Sequence, residues 1–401
     1  MFNLLITIFF IYTLVKIYLA FLQINFIAKE SKAKAVVLSE EEYKSAAKIA
    51  IANQKFQIAS LVYHLGIFMI WAFWGLKFLA DITLKGGSVS ENIIFVMSFI
   101  IISSILELPF GIYETFVKDK KHGFSNTTPK IFIMDTLKAL ALTLVFGSLF
   151  VWLILLCIDF LGELWWLWAF SLSFVIVLMI NLIYPTIIAP LFNKMQPLEE
   201  GELKSSIEGL LDSCGFKSSG VFSMDASKRD NRLNAYFGGL GATKRVVLFD
   251  TLIKKLSLDE IIAVLGHELG HFKHKDLFKM IALSAVMLLA MFVLFGNIPA
   301  SAYNALGLEK EGGAIIVFML LFSPIFSFVF SPVISAVSRK NEFGADKFGA
   351  SVKSKDDMIS ALKKLASENR AFPKVHPAYA FIYHSHPSLY ERINELKNEN
   401  R

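Results

Sequence analysis

Two histidines four residues apart with a glutamate between them, in His267-Glu268-Leu269-Gly270-His271, are the residues here whose types and spacing could do chemistry. On a helix, positions i and i+4 share a face, so both imidazoles can reach one metal ion. Glu268, one residue past the first of them, is then placed to take a proton from water activated by Zn²⁺, which is the chemistry of peptide-bond hydrolysis. Just upstream, Ser257-Leu258-Asp259-Glu260 is a capping box, so a helix is predicted to start there and run through His271.

A catalytic zinc site keeps three protein ligands and an open position, so the chain must supply a third. His274, Glu342, Asp346, His376, His384 and His386 are the candidates. Glu342 and Asp346 fall on one helix face at i, i+4, so one can bind the metal while the other holds a ligating histidine through its second ring nitrogen. His274 stands between Lys273 and Lys275, which suits a solvated helix end.

The elements that must position these groups are mostly apolar. The chain has 401 residues, 55% hydrophobic and 14% aromatic with 38 Phe, and only 18% charged, which places it among membrane proteins. Seven apolar runs are long enough to cross a bilayer, at about 2–28, 58–80, 93–117, 131–160, 164–189, 277–298 and 314–337. The first lacks a basic n-region and a small-x-small cleavage site, and reads as a retained span. The formal charge of +6 does not indicate nucleic acid, because its lysines lie in short loops between the spans. Lysines cluster after span 1 (Lys29, Lys32, Lys34, Lys44, Lys48, Lys55) and after span 3 (Lys118, Lys120, Lys121, Lys130), and the intervening loops are poor in them. That alternation puts the N-terminus outside and both the histidine motif and the C-terminus in the cytoplasm. The two cysteines, Cys157 and Cys214, form no CxxC pair and no disulfide framework is expected.

Lys16, His64, Glu107, Asp135 and Lys138 fall inside the spans, where an unpaired charge costs about 2.5–3.5 kcal/mol. They should pair between helices or face a water-filled chamber. From Phe192 to Asp276 the composition turns polar, and a small α+β unit is expected there. It comprises an amphipathic helix at about 199–214, strands at 221–224, 234–237 and 245–249, and a turn at Gly238-Gly239-Leu240-Gly241. A further helix is expected at about 355–369. The organisation is thus spans 1–5 over 1–190, the α+β unit over 191–276, spans 6–7 over 277–337 and a helical tail over 338–401.

Taken together, these motifs resemble the type I CaaX prenyl protease family of integral-membrane zinc metallopeptidases. The resemblance runs nearly the whole chain: Tyr184-Pro-Thr-Ile-Ile-Ala-Pro-Leu-Phe-Asn-Lys194, Asn234-Ala-Tyr-Phe237, Val247-Leu-Phe-Asp-Thr-Leu252, the His-Glu-Leu-Gly-His core, Ser338-Arg339 leading to Glu342-Phe-Gly-Ala-Asp346, and Ser385-His-Pro387 leading to Arg392. It implies one zinc held by His267, His271 and Glu342, with Asp346 supporting a zinc-binding histidine, Asn234 on a substrate-binding edge strand, and His386 and Arg392 near the scissile peptide. It implies a mainly α fold, a barrel of seven spans around an intramembrane chamber closed by the α+β unit. The substrate is a peptide or protein, prenylated in the family's namesake reaction. His386-Pro387 also reads as a helix start with Pro at N1, Asn234 as a turn or cap, and Arg392 and Asp346 as solvated helix residues. The residues 122–126 are close to a family loop of underived role, and the tail ends without an ER-type retention signal, which with the Lys and Ile richness suggests a bacterial membrane. In that setting, trimming of unprenylated or misfolded membrane proteins is the alternative role. A transporter would not need Glu268 between two histidines, a heat-shock-type protease needs fewer spans, and a site-2-type protease would carry a later Leu-Asp-Gly, which is absent.

Overall fold

A computed structural model describes residues 1–239 and 243–398. Among the described residues, seven helices are long and apolar enough to cross a membrane: Phe2–Glu30, Glu40–Thr83, Val89–Lys121, Pro129–Phe160, Gly162–Phe192, Asp276–Gly296 and Gly312–Val352. They coincide with the seven predicted runs, but two extend well past the bilayer. Span 2 begins at Glu40 because Ser39 and Glu42 cap each other reciprocally, which starts the helix in polar sequence. Span 7 continues as one 41-residue helix to Val352 and carries Glu342 and Asp346 out of the apolar region.

The spans share their largest apolar cluster at the end remote from the histidine motif. Leu5 and Phe9 of span 1, Phe68 and Leu76 of span 2, Phe95 of span 3 and Phe318 of span 7 belong to one buried cluster there. At the other end the spans diverge. The helix Pro129–Leu142 buries none of its residues, and span 6 buries only Asp276 before Phe292. His64 and Glu107 meet at 2.6 Å with side chains 41% and 45% exposed. Such a pair is costly against lipid, so it belongs on the side of the spans that faces water or other helices. The other charges inside the spans are also paired. Arg229 clamps Asp135 at 2.8 and 3.0 Å, Lys138 donates to the Leu191 carbonyl at 2.8 Å, and Lys16 donates to the Tyr12 hydroxyl at 2.9 Å.

The polar segment forms a four-stranded sheet of β1 (Met195–Pro197), β2 (Val221–Met224), β3 (Ala235–Gly238) and β4 (Arg245–Phe249), in the order β1-β2-β4-β3. β2 and β4 run parallel, and the outer two pair antiparallel, leaving β3 an edge strand. β1 was not anticipated, being three residues long with a proline and no alternation. Of the predicted turn between β3 and β4, Leu240 and Gly241 lie outside the described residues. The amphipathic helix spans Glu202–Ser213, and a helix Lys355–Glu368 follows span 7. The loop 122–126 acquires a role, since Asn126 N–H donates to the Arg229 carbonyl at 2.9 Å and Asn231 N–H to that of Phe124 at 2.9 Å, docking spans 3 and 4 on the α+β unit.

The motif helix, Leu258–Lys273, opens at the predicted capping box. Glu260, 6% exposed, accepts from Ser257 N–H (2.8 Å), Ser360 Oγ (2.7 Å) and Lys364 Nζ (3.1 Å). Burial opposes its charge, but these donors hold its pKa below the ordinary 4.5. A depressed carboxylate pKa contributes stability above the unfolded-state value, lost as pH falls through the folded one. Glu260→Gln is expected to lower stability at pH 7 by about 1–3 kcal/mol. That deficit should shrink as pH is lowered past 4.5, as read by thermal unfolding across the range.

Candidate metal centre

The motif helix is amphipathic in two directions. Ile261, Leu265 and Leu269 pack on the sheet and the helix Glu202–Ser213. The opposite face meets the polar extension of span 7 almost backbone to backbone. A Cβ on Gly270 would stand 2.8 Å from Ala345 Cα, and one on Gly349 would stand 2.8 Å from the Ala263 carbonyl oxygen. This close crossing is what brings Glu342 and Asp346, one turn apart on span 7, against His267 and His271.

Ligand atoms of His267, His271 and Glu342 lie within 4.8 Å of one another. Glu342 Oε1 is 3.3 Å from His271 Nε2, and Oε2 is 3.6 Å from His267 Nε2. Each histidine is held from behind at its other nitrogen: His267 Nδ1 by Asp346 Oδ1 at 2.8 Å, His271 Nδ1 by Asp276 Oδ2 at 2.9 Å. With both Nδ1 atoms engaged, both Nε2 atoms converge with the carboxylate of Glu342. Glu342 is 3% exposed, and its Oε2 is buried with no hydrogen-bond partner. A buried carboxylate oxygen without a donor is costly unless a cation faces it. Two imidazole nitrogens and one carboxylate are the donor set of a catalytic zinc site. The same demand for positive charge acts on His271. Burial opposes its protonation, yet hydrogen bonds to Glu342 and Asp276 push its pKa up to about 9. A divalent cation would satisfy that field in the proton's place. Glu268 lies between the two histidines, where burial pushes its carboxyl above the ordinary range against their pull.

The remaining predicted groups are distributed unevenly. His386 stands at the mouth, its Nε2 3.2 Å from Glu342 Oε1 and its side chain 59% exposed. Partial loss of solvent around its ring, with Arg392 and the two motif histidines nearby, holds its pKa below the ordinary value, although Glu342 pulls the other way. Arg392 grips Asp346 with Nε at 2.8 Å and Nη2 at 2.5 Å, and Nη2 lies 3.6 Å from Glu342 Oε2. Asn234 immediately precedes β3. Its side chain accepts from Ala235 N–H at 2.9 Å and its carbonyl from Phe249 N–H at 3.1 Å, so it shapes the start of the edge strand. The other candidate ligands point elsewhere. His274 is exposed beside Gly344 and Phe348, His376 caps the helix Pro377–Tyr383, and His384 packs on Tyr379. Sequence reasoning missed Asp276 and Arg339. Arg339 donates at 2.7 Å to the carbonyls of both Ala380 and His384 and so pins the loop that carries His386. Its place beside Ser338 in the motif leading to Glu342 was the available signal.

A capped helix bearing His-Glu-x-x-His, completed by a glutamate on a membrane-spanning helix, defines a metal-dependent hydrolase built into a membrane. Comparison with known proteins narrows the class. Residues 23–194 match the family profile described as CAAX prenyl protease N-terminal, five membrane helices, and residues 197–400 match Peptidase family M48. The chain is 33% identical to CAAX prenyl protease 1 of Saccharomyces cerevisiae over 91% of its own length and 83% of that protein's. It is 32% identical to the CAAX prenyl protease 1 homolog of Homo sapiens, over 77% and 74%. The crystal structure of S. mikatae Ste24p superposes with a TM-score of 0.91 at 31% identity, covering 99% of each chain. The chain therefore belongs to the type I CaaX prenyl protease family, the membrane zinc metalloproteases of Peptidase family M48.

Because the site depends on the close helix crossing, Gly270→Ala is expected to cost about 1–3 kcal/mol of stability and to weaken metal uptake. Gly209→Ala, on a helix where an added Cβ meets nothing within 4 Å, is the control and should be neutral or mildly stabilising. Thermal unfolding and metal content of the purified variants check both.

Proposed function

We propose that this protease holds one Zn²⁺ per chain through His267, His271 and Glu342 and cleaves prenylated CaaX-type protein C-termini after the modified cysteine. The observation that carries the reading is the buried Oε2 of Glu342, which accepts no hydrogen bond, facing two imidazoles already fixed from behind. When bound, the ion supplies Lewis acidity that activates water and polarises the scissile carbonyl.

The chain's own residues do the rest. Glu268 accepts the proton of the attacking water and returns it to the leaving amine, and the raised pKa given by burial suits an acid–base group. His386, with Nε2 at the mouth of the site, donates to the oxyanion that develops on the carbonyl. Arg392 spends two donors on Asp346, so it acts mainly by fixing the carboxylate that orients His267. β3, with Asn234 at its start, offers an unpaired edge that aligns the substrate backbone by strand addition. The prenylated substrate is supported by the names of the relatives and by the apolar spans that adjoin the catalytic unit, against which an isoprenoid chain can be accommodated.

Glu268→Gln is expected to lower turnover by about 10²–10⁴-fold while zinc content stays near one per chain. In the same assay, a farnesylated CaaX peptide should be cleaved faster than its unlipidated form and faster than an unmodified unfolded chain. Equal rates on all three would refute the prenyl preference and leave a general membrane protease. The lysine-rich loops after spans 1 and 3 support a cytoplasmic catalytic unit and an outside N-terminus. In sealed right-side-out vesicles, an epitope at the C-terminus should resist external protease, and its digestion would reverse the orientation.

A further inference from the structure

The contact behind His271 comes from a residue outside the motif helix, and how the chain delivers it bears on the metal site. Asp276 is 4% exposed, although it is the first residue of span 6. Neither oxygen caps that helix's backbone. Oδ2 meets His271 Nδ1 at 2.9 Å, and Oδ1 accepts from Lys279 Nζ at 2.7 Å.

This contact requires a departure from regular helix. At about 100° per residue, position i+5 lies roughly 140° around the axis from i, so a continuous helix would point Asp276 away from His271. Instead the motif helix stops at Lys273, and Lys275 adopts φ 57° and ψ 31°. That is the left-handed region, uncommon for a residue with a Cβ. Span 6 then restarts in a new direction, and its first side chain turns back on the histidine. The left-handed turn and the buried carboxylate together produce the contact behind His271.

The arrangement repeats the one behind His267. There a carboxylate, Asp346, holds Nδ1 at 2.8 Å and is itself gripped by a cation, Arg392. Here Asp276 and Lys279 stand in the same order. We propose that Asp276, itself held by Lys279, is a positioning residue for His271. It keeps Nδ1 as the hydrogen-bearing nitrogen and so leaves Nε2 free for the metal, which makes the two zinc-binding histidines equally supported. The inference rests on the reading that His267, His271 and Glu342 hold Zn²⁺. Carboxylates behind ligating histidines raise metal affinity in general, and their loss costs about 10–100-fold.

The test is a chelator competition with Zn²⁺ alone on the purified full chain. Asp276→Ala should weaken zinc binding about 10–100-fold. Asp276→Asn, which still accepts from Nδ1–H without the charge, should fall between it and the wild type. The visible spectrum of the Co²⁺-substituted protein should change in Asp276→Ala and stay close to wild type in Asp276→Asn, a signature that a merely structural loss would not divide in this way. At the turn, Lys275→Gly should bind zinc like wild type because glycine adopts the same backbone freely, whereas Lys275→Val should weaken it. If Asp276→Ala does not fold, the Asn variant and the Lys275 pair still decide the matter. Zinc affinities of the Asp276 variants within twofold of wild type, with unchanged Co²⁺ spectra, would overturn the inference while leaving the metal centre standing. A wild-type chain that takes up no zinc would overturn the metal-site reading, and this inference with it.

Discussion

The structure depends on how closely two helices can approach. Glycines at 266, 270 and 349 remove the side chains that would hold the motif helix and span 7 apart, and a Cβ at Gly270 or Gly349 would clash with backbone. Side-chain packing normally keeps helix axes about 8–10 Å apart, and small residues allow closer contact. The shortened distance places the carboxylate of Glu342 within reach of both imidazoles while Asp346, one turn on, reaches behind the first. Because span 7 is a single 41-residue helix, about 60 Å long at 1.5 Å per residue, Glu342 is also tied directly to the membrane-spanning part of the chain.

Around that crossing, charge is organised in layers. Each histidine is backed by a carboxylate and each of those carboxylates by a cation, while Glu342 Oε2 accepts no hydrogen bond and has Arg392 Nη2 no nearer than 3.6 Å. That oxygen is left short of a close partner, which a ligand would supply. The catalytic unit is fastened to the spans by Arg229 on Asp135 and by the loop 122–126. The tail carrying His386 is fastened by Arg339 and by Lys374, which meets Glu30 of span 1 at 2.6 Å. Tight packing at the remote end of the bundle and docking at this end hold the spans apart between them. Between these two regions lies the exposed ion pair of His64 and Glu107.

Much of this was legible in the amino-acid order, and the failures are instructive. The seven spans, β2 and β4 coincide with expectation, since each is marked by local apolar pattern. The polar start of span 2 read as loop although Ser39 and Glu42 carry the capping signature, because composition outweighed a two-residue signal. Six candidates for a third ligand stayed open on spacing alone, and resemblance rather than periodicity singled out Glu342. Arg392 was expected beside the scissile peptide, and its contact with Asp346 was not read from the sequence, because it joins the tail to span 7.

The sequence by itself determined the spans, because lipid offers the backbone no hydrogen-bond partner and a long apolar run must therefore be helical. It also determined that His267, Glu268 and His271 share one capped helix, because helical period and capping are local properties. Only the tertiary structure decided which distant carboxylate joins them and what stands behind each imidazole. The relative register of two helices is set by their packing, and the turn at Lys275 reverses what helical period alone would dictate for Asp276.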